Sequence, residues 1–334
     1  MKEVRWGIIG VGDVTEKKSG PGFQKAERSE LVAVMRRSAN KAKDYAERHG
    51  VPKWYDDADE LIHDSKVDAV YIATPPDSHH DYTRRAASAG KPIYVEKPMA
   101  RTAAECEAML SACKDAGVPL FVAYYRRAMP RFVKIKELLD SGAVGKVRAV
   151  EVRLQRSASP SDVGDVPWRV RPEISGGGYF VDMGSHTLDF LDWMLGPIAQ
   201  VTGSAANQAG RYPAEDVVSA AFEFESGVQG TGLWCFSGAQ EVDEVNLIGS
   251  KGSLRFASFD GNPLRLTTDN GEEVIHAPYP ETVQQPLIQE VVDALTGQGE
   301  CSSIGESALR TAKVVDTLLE AYRKANAITF EQRA

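Results

Sequence analysis

Between residues 4 and 123, short β-branched and aromatic runs alternate with charged, alanine-rich stretches of helical spacing. This alternation constrains the fold more than any other feature of the chain. The apolar runs cover residues 4–10, 31–35, 67–74, 93–95 and 118–123, and the helical stretches cover about 40–48 and 77–89, the latter closed by Gly90. Thr102 and Glu105 have the spacing of a capping box, and the helix they open ends at Gly117. Strands and helices in this order predict an α/β Rossmann domain with a doubly wound parallel sheet over residues 1–124. After about residue 144 strands dominate: 146–156 alternates, Phe222 and Phe224 oppose Glu223 and Glu225, 228–236 follows a Ser226-Gly227 turn, and the turn at 249–252 joins two more strands. With helices expected at 282–295 and 307–325, residues 125–334 are predicted to form a C-terminal α+β domain with a large, mostly antiparallel sheet. Two domains suit a chain of 334 residues. The segment 157–175, rich in Ser, Pro and Asp, is the longest expected loop.

The first run leads straight into Gly10-x-Gly12, with Asp13, Val14 and Thr15 next. Two glycines allow a tight turn and close approach of backbone to a pyrophosphate, while Thr15 takes the third glycine's place and offers a hydroxyl to a phosphate. At the end of the second run an NAD-binding sheet carries an acid for the adenosine ribose. Here Arg36, Arg37 and Ser38 stand there, with the nearest acids at Glu30 and Asp44. Guanidinium groups suit a 2′-phosphate, so NADP(H) is the expected cofactor and NAD(H) the alternative.

Two constellations carry chemistry. Ile93, Tyr94 and Val95 form an apolar run that stops at Glu96-Lys97-Pro98, which puts Lys97 at a strand's C-terminal end, the edge where open parallel sheets bind ligands. Gly176, Gly177, Gly178 and Tyr179 precede a helical stretch at 180–191 in which Asp182 and His186 are four apart. That spacing places a carboxylate and an imidazole on one helix face, and the glycines leave backbone free to approach a ligand. No third ligand accompanies the pair, so no metal site is expected.

Composition narrows the function class. Lys+Arg 39 against Asp+Glu 47 gives a net charge of -8 without a dense basic block, which argues against a nucleic-acid partner. No apolar run reaches membrane-spanning length, and the early first strand leaves no room for a leader, so a cytoplasmic protein is expected. Cys106, Cys113, Cys235 and Cys301 show neither a zinc pattern nor a disulfide framework.

Taken together, the motifs resemble those of the glucose-fructose oxidoreductase, inositol dehydrogenase and MocA-like (Gfo/Idh/MocA) family over nearly the whole chain. The resemblance rests on Gly10-x-Gly12, Thr74-Pro75-Pro76 with His79, Glu96-Lys97-Pro98, Arg127 ahead of Pro130, and Gly177-Gly178 with Asp182 and His186. It implies an NAD(P)-dependent oxidoreductase that moves a hydride between nicotinamide and a carbohydrate-like secondary alcohol or ketone. Lys97, Asp182 and His186 would be catalytic. Gly10, Gly12, Asp13, Val14, Thr15, Arg36, Arg37, Ser38, Thr74, Pro75, Pro76, His79, Glu96 and Lys97 would face the cofactor. Tyr125, Arg127, Trp168, Arg169 and Tyr179 would face the substrate, with Trp168-Arg169 like the pair in relatives acting on sugars. Pro76 and Tyr125 stand where many members carry Asn. A non-catalytic cofactor-binding sensor is the rival reading, and retention of Lys97, Asp182 and His186 speaks for the enzyme. Leu233 on one side of its strand and Trp234 and Phe236 on the other suggest a sheet covered on both faces, in a homo-dimer or homo-tetramer.

Overall fold

Six short strands make the first sheet: β1 (Val4–Ile9), β2 (Ser29–Met35), β3 (Lys53–Tyr55), β4 (Ala69–Ile72), β5 (Ile93–Val95) and β6 (Leu120–Val122). In the computed structural model, which describes residues 2–162 and 164–330, their order is β3-β2-β1-β4-β5-β6. Every pairing is parallel. The order reverses between β1 and β4, so the turn after β1 lies at the switch point where such sheets take ligands. Both faces are covered except at the edge strand β3, whose Lys53 and Trp54 are exposed, which is why the other strands are apolar runs rather than alternating ones. Trp6, Phe23, Tyr71 and Tyr94 form an aromatic cluster with centroid separations of 4.9 Å for Trp6–Phe23 and 5.0 Å for Phe23–Tyr71 and Tyr71–Tyr94.

Local signals set the helix ends. Thr102 caps the helix Ala103–Ala116 by accepting the Glu105 amide at 3.1 Å, and Gly117 closes it at φ 66°. The Glu105 side chain departs from the expected box: its carboxylate accepts the Arg101 amide at 3.0 Å and pairs with the buried Arg101 guanidinium at 2.5 Å. A buried cation is the stronger partner. The helix expected at 77–89 runs over His79–Ser88 behind a 3₁₀ turn, Pro76–Ser78.

The first unit runs to Met129, a few residues past the expected boundary, and regains Pro280–Leu309 late in the chain. That return brings the helix Gln285–Thr296 against the short helix Gly20–Lys25, so closely that a Cβ on Gly22 would lie 2.7 Å from Ile288 Cδ1. Ser303 Oγ also donates to the Val122 carbonyl at 2.7 Å.

The second unit spans Pro130–Tyr279 and resumes at Arg310. Its strands are β7 (Val147–Gln155), β8 (Ile198–Ala206), β9 (Val217–Phe224), β10 (Gln229–Cys235), β11 (Val242–Gly249), β12 (Gly252–Phe256), β13 (Leu264–Thr268) and β14 (Gly271–Ile275). They form one sheet in the order β14-β13-β12-β11-β7-β10-β9-β8. All neighbours are antiparallel except β7 and β10. Alternation places Phe222, Phe224 and Trp234 on the covered face, while Leu233 is half-buried on the other. The helix Ser185–Leu195 packs there, with Phe190 5.0 Å from Phe132. Ahead of it, Phe180–Gly184 forms a π turn, not the plain α-helix expected, and Phe180 meets Trp234 at 5.0 Å. No described helix is long and apolar enough to cross a membrane.

Gly10 has φ 95°, and a Cβ there would come within 2.5 Å of Thr74 Cγ2 and 2.9 Å of its amide nitrogen. Gly10→Ala is expected to lower stability by about 1–3 kcal/mol, seen as a lower urea midpoint with unchanged slope. An unaltered midpoint would show that the turn tolerates a side chain.

Candidate active site

The carboxyl edge of the parallel sheet gathers most of the expected cofactor residues. Gly10 and Gly12 form the turn after β1, and a Cβ on Gly12 would meet nothing nearer than Arg36 Nη1 at 4.0 Å. The space over Gly12 is open on the side where a dinucleotide's phosphates lie in this fold, so the turn fits such a cofactor. Asp13 is exposed and Val14 half-buried at the start of the following short helix. Thr15 is a correction. It is fully buried, and its hydroxyl donates to the Gly12 carbonyl while accepting the Gly12 amide, both at 2.9 Å. Where a hydroxyl offered to a phosphate was expected, the side chain braces the turn from within. Arg36 sits beside the glycines, donating from Nη1 to the Val11 carbonyl at 3.0 Å. Arg37 and Ser38 are exposed at the head of the helix Ala39–His49, and the Ser38 hydroxyl makes no capping bond.

Lys97 leaves the end of β5 half-exposed, and its backbone is anchored by Glu96. The Glu96 carboxylate accepts the Lys97 amide at 3.1 Å, the Tyr71 hydroxyl at 2.6 Å and the Gln284 side-chain amide at 2.7 Å. Expected to face the cofactor, this side chain is instead buried, a fixture for the lysine next to it. His79 has a similar part. Fully buried, it sets Nε2 2.7 Å from the Thr74 carbonyl and Nδ1 3.1 Å from that of Pro98, linking the Thr74-Pro75-Pro76 turn to the segment after Lys97. Burial pushes this imidazole below its ordinary pKa, although the flanking carbonyls favour the charged form.

Tyr125 follows β6, the neighbour of β5, and is buried with the Arg126 guanidinium 5.3 Å from its ring centroid. Burial raises its pKa, but Arg126, Lys18 and Lys97 outweigh burial and draw the phenol below its ordinary value. Tyr125 and Lys97 thus share one electrostatic environment. Arg127, expected to face substrate, is buried and donates to the Ser302 carbonyl at 3.0 Å, a tie to the returning segment.

In the second unit the expected residues cluster around the glycine turn and the π turn. Asp182 pairs with Arg169 at 3.4 Å, and Arg169 lies over the Trp168 ring at 4.6 Å. His186 is the second residue of the helix Ser185–Leu195, buried, with its ring 6.2 Å from that of Phe259. Positions four apart stay near one face because they lie between the repeats of an α and a π turn, and π turns recur at functional sites. Tyr179, expected to bind substrate, gives its hydroxyl to the buried Asp162 at 2.7 Å, and burial together with that carboxylate raises its pKa.

Sequence reasoning missed Gln284, Arg323 and Glu215. Glu215 Oε1 accepts the Gly178 amide at 2.7 Å, and Arg323 donates to the Gly176 carbonyl at 2.7 Å. Glu215 stands beside Asp216 at the entrance to β9, where an acidic pair reads as a solvated strand end. Among the described residues no cluster suited to a metal ion occurs.

Residues 4–124 match the oxidoreductase family with an NAD-binding Rossmann fold, and residues 132–255 match the GFO/IDH/MocA C-terminal domain. The chain is 40% identical over 311 residues to Oxidoreductase P35 of Formosa agariphila, covering 92% of this chain and 96% of that protein. It is 28% identical to 1,5-anhydro-D-fructose reductase of Ensifer adhaerens, covering 91% and 92%. Among solved structures, aldose-aldose oxidoreductase from Caulobacter crescentus complexed with glycerol superposes with a TM-score of 0.86 at 27% identity, covering 97% and 98%. With both domains matched in order and a 40% identical relative along nearly its full length, the chain belongs to the Gfo/Idh/MocA oxidoreductase family.

Proposed function

We propose that this protein interconverts a carbohydrate-like secondary alcohol and its ketone, using NADP(H) in preference to NAD(H). The observation that carries this reading is Lys97, fixed by Glu96 at the carboxyl end of β5 in the sheet whose switch-point turn has open space over Gly12. Relatives support the substrate class, since named matches act on an anhydro-sugar and an aldose. The bound nicotinamide supplies or takes up the hydride. In the oxidative direction the carbinol carbon loses a hydride and its hydroxyl loses a proton. We assign stabilisation of the developing oxygen charge to Lys97 in the first unit and proton transfer to His186 in the second, where Asp182, four residues before His186, pairs with Arg169 at 3.4 Å. Tyr125, held in the field of Lys97, belongs to the substrate side of the same edge.

Lys97→Met keeps the stem and removes the charge. It is expected to cut kcat by about 10²-fold or more in a nicotinamide-absorbance assay with sugars, keto-sugars and inositols, with cofactor affinity retained. A variant as fast as the wild type would dismiss this role for Lys97.

Cofactor preference follows from the end of β2, where Arg36, Arg37 and the uncommitted Ser38 hydroxyl occupy the ribose-reading position. Asp44 is held by Arg48 at 2.8 Å, which removes the nearest downstream acid from that role. Wild type should show higher kcat/KM with NADP(H), and Arg36→Asp should reverse the ratio. Equal efficiencies in the wild type would mean that these arginines do not read the ribose.

A cytoplasmic location belongs to the same reading, since none of the cysteines forms a disulfide. So does a homo-oligomer formed through the second face of the large sheet, where Leu233 is half-exposed. Light scattering at micromolar concentration should give a mass of at least two chains, and a monomer would count against it.

A further inference from the structure

We propose that Glu215 is a positioning residue: with Arg323 it clamps the turn through Gly176, Gly177 and Gly178, and so sets where Asp182 and His186 stand. This rests on the assignment of those two residues to the reaction made above. The clamp grips both ends of the turn. Arg323, braced by Asp316 at 2.5 Å, donates to the Gly176 carbonyl at 2.7 Å, and Glu215 Oε1 accepts the Gly178 amide at 2.7 Å. Between them, a Cβ on Gly177 would lie 3.1 Å from each Glu215 carboxylate oxygen, and one on Gly178 would lie 2.5 Å from the Glu215 carbonyl. The turn is therefore seated directly on the Glu215 segment.

From there the path to the π turn is short. The Gly178 carbonyl accepts the amides of Val181 at 3.1 Å and Asp182 at 3.3 Å, which opens the turn that carries Asp182 and leads into His186. Gly178 is thus held at its amide by Glu215 and holds Asp182 through its carbonyl. A shift of the amide is passed on to the residues that face substrate, and misplacement by about 1 Å can cost about 10²-fold in rate.

Glu215 is fully buried, and that burial pushes its pKa up to about 7, against the opposing effects of the Gly178 amide and Arg323. The titratable groups around it are Arg323 and Tyr322 on the last helix and Asp216 and Tyr212 on its own segment. Ionisation strengthens its bond to the Gly178 amide, because a charged acceptor binds an N–H more strongly than a neutral one. The protection factor over residues 176–186 is therefore expected to rise with pH through this value.

The test compares Glu215→Gln, whose amide oxygen still accepts from Gly178, with Glu215→Leu, which has no acceptor. Hydrogen–deuterium exchange at one pH on the full chain should show faster exchange over residues 176–186 in Glu215→Leu and near-wild-type protection in Glu215→Gln. With NADPH and 1,5-anhydro-D-fructose as probe, kcat should fall about 10- to 100-fold in Glu215→Leu, while the NADPH dissociation constant stays unchanged. Glu215→Gln should keep kcat within a few-fold and lose the wild-type rise of the protection factor near pH 7. Wild-type protection in Glu215→Leu, or a Gln variant as unprotected as the Leu variant, would overturn the proposal. If Glu215→Leu does not fold, retention of that rise in protection in Glu215→Gln would overturn the proposal and its loss would support it. His186→Ala separates the two ideas: full activity there, or no turnover by wild type, removes the assigned chemistry, while exchange over residues 176–186 still decides the clamp.

Discussion

The first unit depends on one buried carboxylate. Removing Glu96 from water costs several kcal/mol unless donors replace the solvent, and three do: the Tyr71 hydroxyl on β4, the Lys97 amide beyond β5 and the Gln284 side chain on the returning segment. A single acid thereby joins two neighbouring strands to a piece of chain 188 residues away in sequence. Because the third donor comes from so far off, the geometry at Lys97 is completed only when residues 280–309 have docked. His79 adds a second constraint across the same edge, between Thr74 and the carbonyls beyond Lys97. The lysine's backbone is consequently held from both sides.

Glu215 holds the second unit's turn by the same logic with a different target. Glu96 faces three donors, one of them charge-neutral amide backbone, whereas Glu215 is shown accepting from the Gly178 amide, with Arg323 near enough to lower its pKa. Burial dominates at Glu215 and leaves its pKa raised to about 7. In each unit a buried carboxylate fixes the backbone next to residues assigned to the chemistry. Side chains in this position control rate through placement rather than through charge on the substrate.

Sequence legibility followed burial. Five of the six parallel strands were readable because both their faces are covered and the runs are apolar, whereas the exposed edge strand β3, Lys53–Tyr55, was not; Lys97 was readable because Pro98 ends its strand. β8 escaped notice because it is an edge strand with mostly exposed residues, and β14 for the same reason, with four consecutive exposed positions at Gly271, Glu272, Glu273 and Val274. The helix Gln285–Thr296 was recognisable as amphipathic, but an apolar stripe does not name its partner, so its return to the first unit was not. Side-chain roles were least legible. Thr15, Glu96, His79, Arg127 and Tyr179 occupy motif positions near the expected ligands, yet their polar atoms are engaged by neighbouring backbone or buried side chains.

The glycines show why composition alone misassigns such roles. Gly12 and Gly178 both lie in turns that precede helical segments, and both read in sequence as room for a ligand. At Gly12 the space is open, and a side chain would enter it beside Arg36. Gly178 lacks a side chain for the opposite reason: the space is already filled by the Glu215 carbonyl and Ala214 Cβ. Close packing of backbone on backbone transmits displacement, where open space would absorb it. The position of the π turn is therefore tied to the segment entering β9, and through it to a sheet strand, which makes the glycine triplet a mechanical joint of the second unit rather than a flexible entry loop.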